Sequence, residues 1–223
     1  MKKKVKWIWI GICTSLLLII LLVLLFGHTI LIRAGKFMAP QGISNADVAI
    51  LQGCTFLNEG TDTVLIRGIN LLASGKVKRL IIVLHSDIPS NTSYLLNQDY
   101  PGLVKKEVQT LGLKEKDFGI VVVPISHPNT LTEAEVVLEA ISKDHIKSAI
   151  LLSHGFHTRR SYLVYQYIAL PFQIKIFPLA CLNSYEPLDS WWSHAQGRRY
   201  FVEEVIKLAY YLVRGYVPLK LSY

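Results

Sequence analysis

Three cysteines in 223 residues are too few for the disulfide framework that staples small secreted domains. Charge is also scarce: Asp, Glu, Lys and Arg make up 18% of the chain against 51% hydrophobic residues, a balance that excludes disorder. No acid occurs in residues 1–36, and no charged side chain of either sign occurs in residues 7–32. Residues 37–223 contain no internal repeat, low-complexity tract or Pro/Gly-rich linker that would divide them into two domains. Missing too are G-x-S-x-G, the P-loop, G-x-G-x-x-G and H-E-x-x-H, which removes the common hydrolase, NTPase, dinucleotide and zinc-protease readings. No metal site is expected.

The formal charge of +8 is unevenly spread. Lys2, Lys3, Lys4, Lys6, Arg33 and Lys36 bracket the uncharged run, and the remainder has 18 basic residues against 16 acidic ones. No basic face remains for nucleic acid, which is set aside as a partner. The uncharged run exceeds the roughly 20 residues needed to cross a bilayer as a helix. Four lysines before it and two cations after it predict a cytoplasmic N-terminus and an extracytoplasmic domain at the plasma membrane. Its length, and the lack of an A-x-A-like site, favour an uncleaved anchor over a signal peptide. The expected organisation is residues 1–36 as basic tip and transmembrane anchor and residues 37–223 as one domain. Cys54 and Cys181 would both lie outside the cytoplasm, where they could pair or remain two small apolar residues.

Beyond the anchor, short β-rich runs alternate with helix-period segments, the pattern of an open parallel α/β sheet with helices on both faces, Rossmann-like in class. Strands are predicted over residues 46–52, 79–85, 119–125, 148–153 and 174–179. Helices are predicted over 61–74, stopped by Gly75, over 130–142 with a Thr130/Glu133 capping box, over 157–170, and over 197–214. Residues 91–113, interrupted by Pro101 and Gly102, read as a loop followed by a helix. On the last helix Phe201, Val205, Leu208 and Leu212 form the expected core stripe, with a Glu203–Lys207 pair outside it. Trp191, Trp192, Tyr200, Tyr210, Tyr211 and Tyr216 are either core or a membrane-surface cluster.

Ligands of such sheets bind beyond the carboxyl ends of the strands, and those positions are polar here: Gln52-Gly53-Cys54, His85-Ser86-Asp87, Ser126 to Thr130, and Ser153 to Arg160. In the last segment His157 and Arg160 lie three apart at a helix start, with Arg159 beside them. Imidazole, guanidinium and free backbone N–H groups there suit a phosphate or carboxylate. Cations at a helix N-terminus oppose its dipole and so need a reason. The alternative is that Arg159 and Arg160 are solvated or paired with acids. Arg67 could reach the same crevice or lie on the surface. Asn129, Thr130 and Glu133 are explained by helix capping, which is compatible with ligand contact.

In order, these motifs resemble the ElyC/SanA/YdcF type of envelope protein across nearly the whole domain. The resemblance rests on Leu51-Gln52-Gly53-Cys54 with Arg67 and Gly75, on Ser126, Asn129, Thr130, Glu133 and Ala134, on Ser153, Phe156, His157 and Arg160, and on Trp191-Trp192 through Glu204 and Lys207. The chain departs from that pattern where Gln52 and Cys54 flank a single glycine and where His85-Ser86-Asp87 replaces a Ser-Gly-Gly. The resemblance implies a membrane-anchored Rossmann-like domain linked to envelope integrity, cell-wall precursor or lipid-carrier metabolism, and antibiotic tolerance. It also implies a possible S-adenosylmethionine site, which conflicts with an extracytoplasmic domain because that nucleotide is cytosolic.

The leading expectation is a tethered domain that binds, and in its catalytic form turns over, a phosphorylated or lipid-linked envelope metabolite. His157 (acid/base) and Arg160 would be the catalytic pair, with Gly53, Arg67, Ser126, Asn129, Thr130, Glu133, Ser153 and Arg159 contacting the ligand. The competing expectations are a non-enzymatic scaffold that binds a protein partner and a cytosol-facing S-adenosylmethionine-binding protein.

Overall fold

Five apolar runs, most of them buried on both faces, pair side by side as parallel strands and set the architecture. The computed structural model describes residues 2–42, 44–53, 63–86, 99–183 and 187–218; within the first helix the side chains of residues 2–10, 13, 18–20 and 22–25 are outside that description. The elements are α1 (Lys2–Met38), β1 (Val48–Leu51), α2 (Thr63–Ala73), β2 (Arg79–His85), α3 (Tyr100–Thr110), β3 (Phe118–Val123), α4 (Asn129–Ser142), β4 (Ser148–His154), α5 (His157–Ile168), β5 (Lys175–Cys181) and α6 (Ala195–Val213). A short 3-10 turn, Trp191–Ser193, precedes α6.

The strand order is β3-β2-β1-β4-β5 with every pair parallel, a Rossmann-like α/β sheet. Because side chains alternate across a strand, Leu51, Ile82 and Leu152 pack under α2 and α3 on one face, while Ile50, Ile81 and Leu151 pack under α4 and α5 on the other. Gly75, at φ 69°, ends α2 by letting Lys76 N–H reach back to the Leu71 carbonyl at 3.0 Å.

The end of α1 is part of the domain. Met38 and Ala39 are buried with Phe156, Ala180, Trp191 and Leu208, and Trp191 Nε1 donates to the Leu31 carbonyl at 3.1 Å. The chain then runs antiparallel along the free edge of β5, where Ala180 N–H donates to the Pro40 carbonyl (3.1 Å) and Gly42 N–H to the Pro178 carbonyl (2.7 Å). That strip covers an edge that would otherwise present unpaired backbone groups.

Several expectations change. Among the described residues no helix is long and apolar enough to cross a membrane; the uncharged run of residues 7–32 falls partly outside the described side chains. The Cys54 position lies outside the described residues, so its pairing does too, and Cys181 is buried at the end of β5. On α6 the ion pairing differs from expectation: Lys207 bonds Glu204 at 2.9 Å, and Glu203 bonds Arg199 at 2.7 Å. Val205, assigned to the core stripe, is 40% exposed.

Candidate functional site

The strand order reverses direction between β1 and β4, so a crevice opens beyond their carboxyl ends. The crevice is a cavity of about 740 Å³, bounded by the ends of β1 and β2, the first turns of α4 and α5, and the inner face of α6. Of the residues singled out in the sequence, Gly53, Asn129, Thr130, Glu133, His157 and Arg160 line it.

Four predicted residues are placed elsewhere or face away. Arg67 is exposed on α2 and Ser126 is exposed after β3, and neither lines the cavity. Arg159 lies over the Phe37 ring at 4.1 Å, where a guanidinium covers an aromatic face of α1. Ser153 is fully buried and its Oγ has no partner among the described residues, but it is not part of the cavity wall.

Arg160 organises the α5 side of the cavity. Its Nε donates to Glu204 Oε2 (2.9 Å) and its Nη2 to Glu204 Oε1 (3.2 Å), a bidentate pair in which both side chains are nearly buried. Its Nη1 donates to Thr130 Oγ1 at 2.7 Å, and Nη2 also lies 2.8 Å from His157 Nδ1. Since a guanidinium can only donate, His157 Nδ1 holds a lone pair and Nε2 carries the proton, directed to Ser161 Oγ at 3.0 Å. The ring is therefore neutral. Burial pushes its pKa below the ordinary imidazole value and the Arg160 charge adds to this, outweighing the opposing Glu204 carboxylate 3.3 Å away. Glu204 is depressed well below the usual carboxylate range: burial opposes ionisation, but the bidentate Arg160 guanidinium overcomes it.

This network corrects two expectations. The Arg160 cation at the helix start is not unpaired, because Glu204 neutralises it from 44 residues away in sequence. His157 has both ring nitrogens committed inside the protein, which fits a positioning role better than an acid/base role. The capping expectation for Thr130 and Glu133 also fails: no side chain caps α4, and both residues turn into the cavity. Thr130 serves Arg160. Glu133, 3% exposed, accepts from the Tyr165 hydroxyl at 2.7 Å and faces His85 Nε2 at 3.1 Å.

His85 is thus a second and different imidazole. The bond to Glu133 raises its pKa against the effect of burial, and its Nδ1 has no partner among the described residues. A carboxylate holding one ring nitrogen while the other is uncommitted is the arrangement that supports proton transfer. The Tyr165 phenol, buried beneath Glu133, is pushed far above its ordinary value by burial and by that carboxylate, so it remains a donor.

Glu204, Lys207, Tyr210, Tyr211 and Tyr216 complete the wall from α6 and the turn after it. Glu204, Lys207 and Tyr211 recur at i, i+3 and i+7, one helical face. That spacing is the signal available in the sequence, although the partner of the face is not. The Tyr211 ring lies 5.0 Å from the Arg160 guanidinium.

At the Gly53 turn the structure offers no open cradle for a nucleoside cofactor. Gly53, at φ 74°, has its face covered by His154: a Cβ there would sit 3.2 Å from the His154 ring, and His154 Nε2 bonds the Gly53 carbonyl at 3.0 Å. The glycine serves a turn and a packing contact, and does not offer open backbone to S-adenosylmethionine. Among the described residues no cluster of three or more His, Cys, Asp or Glu is arranged to hold a metal ion. In comparisons with family models, curated proteins and solved structures, the chain matches none.

Proposed function

We propose that this chain is a membrane-anchored envelope protein of the ElyC/SanA/YdcF type, whose α/β domain binds a phosphorylated or lipid-linked small molecule in the cavity beyond β1 and β4. The observation that carries this reading is the pair of cations at one end of that cavity. Arg160 is immobilised by Glu204, Thr130 and His157, and Lys207, whose side chain is half exposed, stands beside the same carboxylate. Two cations share one carboxylate, so Arg160, Lys207 and Glu204 together carry a net positive charge next to a helix start that no side chain caps.

The anchor rests on the uncharged run of residues 7–32 and its lysine-rich flank. With the domain outside the cytoplasm, the tether keeps the cavity close to lipid-borne ligands. If turnover occurs, His85 on Glu133 is the better acid/base, and His157 holds Arg160 in place. An activity reporter fused after Tyr223 tests the topology: activity only outside supports the anchor, and activity only inside overturns it.

The binding test is calorimetric titration of pyrophosphate and an isoprenyl pyrophosphate into the detergent-solubilised full chain and Lys207→Ala. Lys207 suits the test because its removal leaves Glu204 still paired with Arg160. Saturable binding that weakens at least about tenfold in Lys207→Ala supports the reading. Absence of binding to folded wild type overturns it.

One observation favours a non-enzymatic scaffold as the second reading. Val202, Ile206 and Val213 on the outer face of α6 are 53%, 63% and 86% exposed, an apolar stripe turned away from the cavity. Ile206→Glu would then abolish envelope function while leaving ligand binding intact.

A further inference from the structure

The β1–β2 end of the cavity differs chemically from the Lys207 end. Gln52, the last residue before the Gly53 turn, is 3% exposed and lines the cavity, and its backbone N–H is held by the Leu152 carbonyl at 3.0 Å. Its side-chain Oε1 is buried and meets no partner among the described residues. The same holds for Nδ1 of His85 on the neighbouring strand. Buried polar atoms are nearly always paired in native proteins, so two unpaired ones on residues that line a cavity call for a group from outside the chain, a ligand or a water.

The missing group is not a phosphate oxygen. Glu133, almost wholly buried, puts a carboxylate at the same end of the cavity, and Gln52 Oε1 is itself an acceptor, so an anion would meet repulsion from both. The partner has to donate to Gln52, and it has to accept as well if the carboxamide turns over or His85 presents an N–H. A hydroxyl does both. Adjacent hydroxyls on a ring do so at two atoms, and Tyr210 and Tyr216, which line the same cavity, supply aromatic surface for the ring's C–H faces.

We infer that Gln52 and His85 form a subsite for a hydroxyl-rich, glycosyl-type group of the ligand, next to the cationic end that takes its phosphate. This rests on the reading of the Lys207 end given above. A cavity of about 740 Å³ is within the size range of small-molecule sites and accommodates a sugar phosphate.

The test titrates inorganic phosphate, glucose and glucose 1-phosphate into the full chain in detergent, using wild type, Gln52→Leu and Lys207→Ala. Wild type should bind glucose 1-phosphate at least about tenfold more tightly than phosphate. Gln52→Leu should bring that ratio to about one with phosphate affinity unchanged, and should raise the melting temperature because a buried unpaired carboxamide is removed. A wild-type ratio near one, a ratio that survives Gln52→Leu, or a Gln52→Leu variant that melts lower or fails to fold each overturns the inference, the last because it means the carboxamide is bonded within the fold. Gln52-dependent binding of glucose without any binding of phosphate keeps the hydroxyl subsite and removes the phosphate reading. Binding of none of the three overturns both.

Discussion

At the residue scale the cavity divides into two charge systems that respond oppositely to pH. His157 is largely enclosed beside Arg160 and its pKa is lowered, whereas His85 is held by Glu133 and its pKa is raised. In a pH titration followed by NMR, the His85 ring is expected to titrate above the ordinary imidazole value of about 6.5 and the His157 ring below it. Glu133→Gln should bring His85 down towards that value. Because the folded pKa of His85 exceeds the unfolded one, its contribution to stability is complete below about pH 6.5 and is lost as pH rises through the folded value. Urea unfolding between pH 6 and pH 9 should show that loss in wild type and a flatter profile in His85→Gln. For Arg160, truncation to alanine leaves Glu204 buried with only Lys207, and breaking such a pair costs about 3–5 kcal/mol. Denaturant unfolding should report a loss of that order for Arg160→Ala, and a smaller one for Lys207→Ala, whose side chain is half exposed.

At the element scale, an aromatic nest around Trp191 seats α1 on the domain. Trp191 stacks on Phe201 at 4.1 Å, packs edge-on to Phe156 at 5.5 Å and donates to α1 at Leu31. Gly35 provides the room: a Cβ there would lie 2.9 Å from Trp191 Nε1 and 3.4 Å from the Leu188 carbonyl. Trp191 is held on two sides by rings and cannot withdraw. Helix propensity alone makes Gly35→Ala stabilising by about 1 kcal/mol, whereas overpacking costs about 1–3 kcal/mol. The expected outcome is net destabilisation, seen as a lower melting temperature and faster hydrogen exchange at residues 31–38. A higher melting temperature would mean that α1 does not seat on Trp191.

At the scale of the whole molecule, the described residues between the helix and the sheet form no loose linker. α1 passes the expected boundary at residue 36 and ends at Met38, and the chain from Pro40 to Gly42 is bonded to β5. The cavity is therefore held at a defined position relative to the end of α1. A fragment of residues 37–223 would lose Leu31 and Gly35 and leave the Trp191 N–H without its acceptor. A fragment of residues 27–223 keeps both. The shorter fragment is expected to be less stable by about 2–3 kcal/mol from the lost hydrogen bond and apolar contact, which thermal unfolding of the two fragments would measure.

Local pattern was enough for the architecture. Runs such as residues 80–84 of β2 are apolar throughout, and a strand covered on both faces needs such a run whatever its neighbours. Gly75 stops α2 because its left-handed turn is a property of that position alone. The polar strand ends that line the cavity were legible for the same reason. Pairing across the chain was not legible, because the energy of an ion pair depends on distance in space and sequence spacing carries no record of it. Glu204 lies 44 residues after Arg160, Glu133 lies 48 after His85, and Thr130 and Glu133 match a capping box whose side chains are instead turned to Arg160 and His85. Local pattern locates the gathering of polar groups. Which cation is neutralised, which histidine is neutral and which buried amide finds no partner in the fold follow from the packed structure, since each depends on what the other strands and helices bring within a few ångströms.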